Sequence, residues 1–497
     1  MHTACPAPFN LAAYVLAAGA CEPDKVALRL VSEAGAETWS YGALIAAVRG
    51  AANGLRRAGL MPGARVLLRL GNTPDFPVAY LACLAAGLVP VPTSAALTAP
   101  EVARLISVVQ PQVVLRDPLV PCPSGSETLT LEAFQEMCAL PPAPYHMGDP
   151  NRLGYIIFTS GTSGTPTAVM HAHRAIWARR MMFDGWYGLT RAARVLHAGA
   201  FNWTYTLGTG LMDPWTLGAT ALIPAPGTPA GALPALLKAE GATIFAAAPG
   251  VYRQMLRGQG ALDLPELSHG LSAGEKMADT VKTAWTKATG TPIYEAFGMS
   301  ECSTFISGAP GRPARRGTIG APQIGRRVSL RVDGVQAAPG SPGTIAIHRS
   351  DPGLMLGYLD APEETAARFE GDWFLTGDQG AMDADGHITF LGRDDDMMNA
   401  GGFRVSPLEV EGCLARAPGI TGVGVAEVTV KDGVRVMAAF FTADTPLDTD
   451  ALAAYAQGQL ARYKQPRLYV QLDALPHSGN GKLSRGTLRK DFEAKTP

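Results

Sequence analysis

The feature that most constrains this chain is a repeated alternation of helical and short extended apolar segments through its first two thirds. Residues 41–58 carry apolar side chains at helical spacing, Met61-Pro62-Gly63 turns the chain, and residues 65–70 read as a short strand. Residues 76–86 are helical again, and Leu88-Val89-Pro90-Val91-Pro92 follows Gly87 as the next strand end. The same rhythm recurs at residues 112–115, 219–223 and 243–247, each flanked by helical patterns. Such alternation predicts an α/β fold of largely parallel sheets covered by flanking helices. A length of 497 residues leaves room for one large domain and a smaller one.

After about Gly317 the texture changes. Short β-like runs at residues 343–347 and 387–390, separated by Gly, Pro and Asp, predict a small β-rich subdomain. Beyond the acidic cluster Asp394-Asp395-Asp396, a helix at 407–415, a strand at 423–430 and a helix at 450–460 predict a separate α+β domain. The organisation reads as an N-terminal domain over 1–393 with its β-rich part at about 317–393, a hinge at 394–396, and a C-terminal domain over 397–497.

Composition excludes several functions. With 42 Lys and Arg against 43 Asp and Glu, the net charge of -1 gives no global field to attract nucleic acid or an anionic membrane. The uncharged stretches 79–100 and 214–237 are broken by several prolines, so neither is a membrane span of about 20 apolar residues. The N-terminus shows no basic region leading into an apolar one, which makes a cytoplasmic location the default expectation. Seven cysteines without a C-x-x-C spacing point to thiols rather than to a disulfide framework or a zinc site.

Five segments carry chemistry. In the first, Tyr155-Ile156-Ile157-Phe158 runs as a buried strand into Thr159-Ser160-Gly161-Thr162-Ser163-Gly164-Thr165-Pro166-Thr167, and a helical pattern resumes after His171. Glycines free backbone N–H groups to face an anion and hydroxyls add donors, so this composition suits a phosphate cradle, although an ordinary polar turn has the same residues. Glu295-Ala296-Phe297-Gly298-Met299-Ser300-Glu301 sets a carboxylate just beyond a glycine turn, where it is either solvated or available to a magnesium nucleotide. Leu375-Thr376-Gly377-Asp378 ends a strand on a carboxylate that can stabilise a turn or accept from ribose hydroxyls. The remaining two are Gly392-Arg393-Asp394-Asp395-Asp396 and Pro476-His477-Ser478-Gly479-Asn480-Gly481-Lys482, a glycine-rich loop ending in one lysine.

In this order the five segments resemble those of the adenylate-forming (AMP-binding) superfamily, over about residues 26–489. The resemblance implies that Thr159, Ser160, Gly161, Thr162, Ser163, Gly164 and Thr165 bind ATP phosphates, and that Glu301 holds Mg2+ beside Ser300, which replaces the usual Thr. It further implies that Ala273, Gly274 and Glu275 face the adenine, with Glu295, Ala296 and Phe297 also at the nucleotide, and that Asp378 and Arg393 meet the ribose. Asp395 becomes the hinge and Lys482 the catalytic lysine; Gly401 and Gly402 line a coenzyme A tunnel, and Arg404 contacts phosphate or coenzyme A. Pro407, Glu409 and Glu411 follow a family pattern read as structural. One departure is Thr167, where the family usually has Lys, which predicts weaker ATP binding more than lost chemistry.

Within the superfamily the segments at 195–203, 213–215, 271–275 and 357–365 resemble acyl-CoA synthetases of the acetyl, medium-chain and benzoate types. That branch implies an acid:CoA ligase with a mobile C-terminal lid, using ATP, Mg2+ and coenzyme A. Trp203, Gly298 and Met299 would shape the acid site; acetate-specific members carry Trp at the Gly298 position, so Gly there predicts an acid larger than acetate, medium-chain or benzoate-like. Implied partners are the acid, ATP and coenzyme A, with a second copy of the chain as a homodimer and a lysine acyltransferase acting on Lys482 as further options. The alternatives are transfer of acyl-AMP to a carrier-protein thiol, luciferase-like oxygen chemistry, and an ATP-binding homologue without activity.

Overall fold

The computed structural model describes residues 4–159, 166–258, 260–394, 396–400, 403–431, 434–460, 462–477 and 483–495. Contacts divide the chain into two units, Met1–Arg327 with Ile347–Phe374, and Val328–Ala346 with Leu375–Pro497. The stretch read from sequence as one β-rich subdomain is therefore shared between the two.

In the larger unit a nine-stranded sheet has six parallel strands at its centre: Ile293–Met299, His269–Ala273, Ile244–Ala246, Arg194–His197, Thr220–Pro224 and Val26–Ser32, in that spatial order. Antiparallel strands close both edges, Ser303–Ser307 followed by Ala321–Pro322 on one side and Gly35–Ser40 on the other. A second, parallel sheet has the order Val89–Pro92, Arg65–Arg69, Val113–Arg116, Thr128–Thr130. Val89–Pro92 and Ile244–Ala246 are buried at every residue because parallel strands are covered on both faces, whereas the edge strand Thr128–Thr130 is largely exposed.

The helices follow from local chemistry. Tyr41–Arg57 begins at Ser40, whose side chain accepts from the Ala43 amide, and turns Tyr41, Leu44, Val48, Ala51 and Leu55 inward. Asp75–Ala86 is buried over every residue from Phe76 onward and ends at Gly87 in the left-handed region, φ 83°. Ala99–Val109 starts with a reciprocal Thr98 and Glu101 capping box.

One local element was not among the expectations. The segment after the glycine-rich loop 160–165 continues as the strand Thr167–Ala172, which pairs back on Leu153–Thr159 with Thr159 opposite Thr167. Residues 160–165 thus connect two strands of a hairpin. Helical turns appear only after this strand, at Ala175–Ala178 and as a π-turn at Phe183–Tyr187.

The smaller unit contains the antiparallel pair Val328–Val332 with Val335–Gln336, and Asp378–Met382 paired with Ile388–Arg393. Its last hundred residues form Ile420–Lys431 antiparallel to Val434–Ala443, with Leu468–Gln471 added in parallel. The helices Pro407–Leu414 and Thr449–Gln459 bring Val410, Leu414 and Ala456 onto Val425, Met437 and Ala439, while Leu488 of Arg485–Glu493 packs on Val428, Ala438 and Phe440.

Candidate active site

The strands Ile293–Met299 and Ser303–Ser307 pair antiparallel, and their register slips between Phe297 and Gly298. The connecting turn is tight: the Cys302 amide donates to the Met299 carbonyl at 3.2 Å, and Ser303 takes φ 63°. Glu301 sits in this turn with 7% of its surface exposed. The Tyr358 hydroxyl donates to Glu301 Oε1 at 2.8 Å, and the Met355 amide donates to the Glu301 carbonyl at 2.7 Å. Burial, reinforced by the Glu301 carboxylate, holds the Tyr358 phenol well above its ordinary pKa, so it stays a donor. A buried carboxylate with one oxygen so committed fits a hard cation that takes most of its ligands from phosphates and water. Magnesium is therefore compatible with Glu301.

Ser300 is held from the hairpin. His171 Nε2 lies 2.8 Å from the Ser300 carbonyl oxygen, and the His171 ring stacks on Tyr155 at 4.8 Å between centroids. A carbonyl only accepts, so Nε2 carries the proton. Burial lowers the His171 pKa to about 4, which keeps the ring neutral at physiological pH.

Gly298 departs from the sequence expectation. A Cβ there would lie 2.2 Å from the Ser303 carbonyl oxygen and 2.5 Å from Thr304 Cα. The space left by the missing side chain is occupied by the neighbouring strand, so Gly298 does not by itself enlarge an acid pocket. Met299 and Ser300 do border an internal cavity of about 30 Å³, shared with Tyr80, Tyr155, His171 and Arg179. Trp203 is not among the cavity-lining residues. Its ring lies edge-on to Tyr205 at 5.1 Å and covers Gly274, whose φ of 97° and a Trp203 carbon 2.9 Å from its Cβ position both exclude a side chain.

Under the cavity runs a buried ion pair. Arg179 donates to both oxygens of Asp213, through Nε at 2.8 Å and Nη2 at 2.6 Å, and its Nη1 reaches Ser303 Oγ at 2.5 Å. The Tyr187 hydroxyl also donates to Asp213, at 2.6 Å. The short segment 213–215 thus anchors the helical turn carrying Arg179, and through Ser303 the end of the Glu301 turn.

The residues expected at the adenine meet at adjacent parallel strand ends, Ala273 opposite Ala296. Glu295 turns away from solvent, accepts the Met277 amide at 2.7 Å, and pairs with Lys282. It braces the Ser272-Ala273-Gly274-Glu275 segment. Glu275 lies 3.9 Å from Arg253, and Phe297 packs edge-on to Phe305 at 5.4 Å.

In the smaller unit Asp378 and Arg393 stand opposite each other on paired strands, with Arg393 Nη1 3.7 Å from Asp378 Oδ1. Thr376 sets this corner: its hydroxyl donates to the Ile345 carbonyl at 2.8 Å and accepts the Asp378 amide at 3.1 Å. Glu411 accepts from the Val425 amide at 2.8 Å and from Arg485 at 2.7 Å, while Glu409 pairs with Lys464 at 2.5 Å. Ser160, Gly161, Thr162, Ser163, Gly164, Thr165, Asp395, Gly401, Gly402 and Lys482 lie outside the described residues, as does the Arg404 side chain.

Sequence reasoning missed Tyr80, His171, Arg179 and the role of Tyr358. Their partners lie far away along the chain, 57 residues for Tyr358 with Glu301 and 129 for His171 with Ser300, and no local spacing signals them. The Gly357-Tyr358-Leu359 signature was the one available clue.

Comparison with known proteins places these features. Residues 16–359 match the family described as AMP-binding enzyme, and residues 409–482 match the AMP-binding enzyme C-terminal domain. The chain is 30% identical to the 3-hydroxybenzoate–CoA ligase of Aromatoleum sp. (strain CIB), covering 93% of this chain and 93% of that protein. It is also 30% identical to the human mitochondrial acyl-coenzyme A synthetase ACSM3, over 94% of this chain and 86% of that one. Among solved structures, a benzoate CoA ligase from Burkholderia xenovorans LB400 superposes with a TM-score of 0.86 at 26% identity, over 97% of this chain and 100% of that chain.

Proposed function

Because the chain belongs to the AMP-binding enzyme family, in its acyl-CoA synthetase branch, we propose that it ligates coenzyme A to a carboxylic acid larger than acetate, benzoate-like or medium-chain. The observation that carries the reading is the Glu301 turn: a buried carboxylate held by Tyr358, next to a backbone carbonyl held by His171. Such preorganisation suits phosphoryl chemistry, in which positioning and charge neutralisation do most of the work.

In the first half-reaction a carboxylate oxygen attacks the α-phosphorus of ATP, the bond to the bridging oxygen breaks, pyrophosphate leaves, and acyl-AMP forms. Lys482 bridges the incoming carboxylate and the α-phosphate, stabilising charge as it develops. Thr159 and the hydroxyls and amides of residues 160–165 restrain the β- and γ-phosphates, and Asp378 with Arg393 receives the ribose. Magnesium held by Glu301 and phosphate oxygens would neutralise the leaving pyrophosphate. In the second half-reaction the coenzyme A sulfur attacks the acyl carbon, its proton passes to solvent, and the bond from that carbon to the AMP oxygen breaks. Rotation about Asp395 exchanges Lys482 for the Gly401 and Gly402 loop between the halves, with Arg404 at phosphate or coenzyme A.

The proposal extends to a cytoplasmic location, a homodimer, and silencing by a lysine acyltransferase that removes the Lys482 charge. For location, no helix among the described residues is long and apolar enough to cross a membrane. The test is pyrophosphate release with acetate, butyrate, hexanoate, octanoate and benzoate, each with and without coenzyme A. Sustained turnover requiring coenzyme A, for acids larger than acetate, supports the ligase. Turnover confined to acetate contradicts the size class, and pyrophosphate without acyl-CoA points to a carrier-protein thiol as acceptor.

A further inference from the structure

We propose that Arg326 and Asp351 are positioning residues for the magnesium site: their buried ion pair fixes the Glu301 turn against the segment 351–358, which holds Glu301 in place. The inference rests on the ligase reading above, in which Glu301 binds the metal, and adds to it two residues that lie outside every motif segment.

The pair is fully enclosed. Arg326 Nη1 donates to Asp351 Oδ1 at 2.5 Å, and the two side chains are 0% and 1% exposed. The same guanidinium reaches the residues just beyond Glu301: Nη2 donates to the Thr304 carbonyl at 3.1 Å, and Nη1 lies 3.8 Å from Cys302 Sγ. The Cys302 thiol in turn donates to Asp351 Oδ1 at 3.8 Å. Burial, reinforced by the Asp351 charge, holds the Cys302 pKa well above its ordinary value, so the thiol remains a donor.

Asp351 also opens the segment that reaches back to Glu301. Its Oδ1 accepts the Gly353 amide at 2.8 Å and its carbonyl accepts the Leu354 amide at 3.1 Å, which curls the chain toward Met355. The Met355 amide then meets the Glu301 carbonyl at 2.7 Å, and the Tyr358 hydroxyl meets Glu301 Oε1 at 2.8 Å. The far end of the segment is fixed separately, by the Leu356 amide on the Met170 carbonyl at 2.8 Å and by pairing of Gly357–Tyr358 with Met170 and Val169. Met355 lies between these two anchors, so the near one, Arg326 with Asp351, sets where its amide meets Glu301. The fit is close, for a Cβ at Gly353 would lie 2.7 Å from Arg326 Nη1.

Stability alone is a poor reason for such a pair. Desolvating two charges offsets most of what their attraction returns, and apolar side chains of similar volume often serve as well. Asp351 Oδ2 and Arg326 Nε are buried with no hydrogen-bond partner among the described residues, so the desolvation is incompletely compensated. What an apolar replacement cannot reproduce is the set of directed bonds to Thr304, Cys302 and Gly353. Each of these ends on the Glu301 turn or on the segment that holds it.

The test is the double replacement Arg326→Met with Asp351→Leu, which fills the volume and removes the directed bonds. In calorimetry it is expected to melt within about 5 °C of the wild type. Half-saturation by magnesium, read from pyrophosphate release at fixed ATP, should rise about tenfold, the lower end of what outer partners of a metal ligand contribute, while KM for the acid stays within about twofold. Isothermal titration calorimetry reads the same effect without turnover: the gain in ATP affinity that magnesium brings over an EDTA-treated sample should shrink by about tenfold. A folded double variant with wild-type magnesium dependence, or one whose acid KM rises as much as its magnesium half-saturation, would overturn the positioning role and leave the ligase reading intact. Should the double variant not fold, Gly353→Ala decides. It keeps both charges but presses a Cβ against Arg326 Nη1, and it is expected to raise magnesium half-saturation severalfold; an unchanged value would overturn the role. Wild-type protein that gains no ATP affinity from magnesium and releases no pyrophosphate with any acid would overturn both readings.

Discussion

Adding one methyl group at Gly298 separates two accounts of that residue. If the glycine merely opens a pocket, Gly298→Ala should trim the largest acids and leave the fold alone. The structure predicts otherwise, because the new Cβ would sit 2.2 Å from the Ser303 carbonyl oxygen, 2.5 Å from Thr304 Cα and 2.7 Å from the Ser303 carbonyl carbon. All three are backbone atoms, so no side chain can swing aside. Ordinary contact begins at about 3.5 Å, which requires the strand Ser303–Ser307 to withdraw by roughly 1 Å. Overpacking of this kind costs about 1–3 kcal/mol. The thermal midpoint should fall by several degrees, at about 2–4 °C per kcal/mol for domains of a few hundred residues. The same shift moves Ser303 against Arg179 and displaces the turn holding Glu301, three residues on from position 298. A displacement of about 1 Å in a positioning element can cost on the order of 100-fold in rate. Differential scanning calorimetry and kcat/KM across the acid panel check both effects. The reasoning is refuted if Gly298→Ala melts within 1 °C of the wild type, a resolution well inside the expected shift, and loses activity only toward the larger acids.

Removing Asp213 by Asp213→Ala leaves the Arg179 charge buried without its carboxylate, and should destabilise the protein by about 3–5 kcal/mol in chemical denaturation; the double replacement Arg179→Met with Asp213→Leu should recover most of that. Tyr358→Phe removes the donor to Glu301 Oε1, so kcat/KM for magnesium ATP should fall about tenfold and half-saturation by magnesium should rise, visible in a metal titration at fixed ATP. Burial depresses His171 to about 4 and His173 and His197 to about 3, so each is neutral when folded yet takes up a proton on unfolding below about pH 6.5. Their stabilising contribution is complete above pH 6.5 and is lost as pH falls toward the folded values, with a slope of about 1.4 kcal/mol per pH unit for each histidine. Denaturation midpoints between pH 7.5 and 5 should therefore drop steeply, and a flat profile would contradict the burial of these rings.

The βα rhythm was legible wherever one element satisfies its own pattern. The helix read at 41–58 is Tyr41–Arg57, and the strand read at 65–70 is Arg65–Arg69, because their apolar spacing matches the face they bury. The strand Thr167–Ala172 was not legible. Its Thr-Ala-Val-Met-His-Ala run has neither a clean alternation nor a β-branched majority, and it is a strand because Leu153–Thr159 offers it an edge. Val434–Ala443 was missed for a related reason, since its partner Ile420–Lys431 decides its state. At the site, motif residues could be read by their order, but the contacts that hold them could not. Nothing local in the sequence links Arg179 to Asp213, or Tyr358 to Glu301. Gly298 shows the same limit, for a missing side chain is visible in the sequence and the atoms that fill its place are not.

The central claim, that the acid is activated as an acyl-adenylate before the thiol attacks, is tested most directly by isotope transfer. The protein is incubated with ATP, magnesium, coenzyme A and an accepted acid labelled with 18O in its carboxylate, and the products are weighed by mass spectrometry. Attack of the carboxylate on the α-phosphorus, followed by cleavage of the acyl carbon bond to that oxygen, predicts one labelled oxygen in each AMP and none in pyrophosphate. Unlabelled AMP, or formation of ADP with the label in inorganic phosphate, would contradict it.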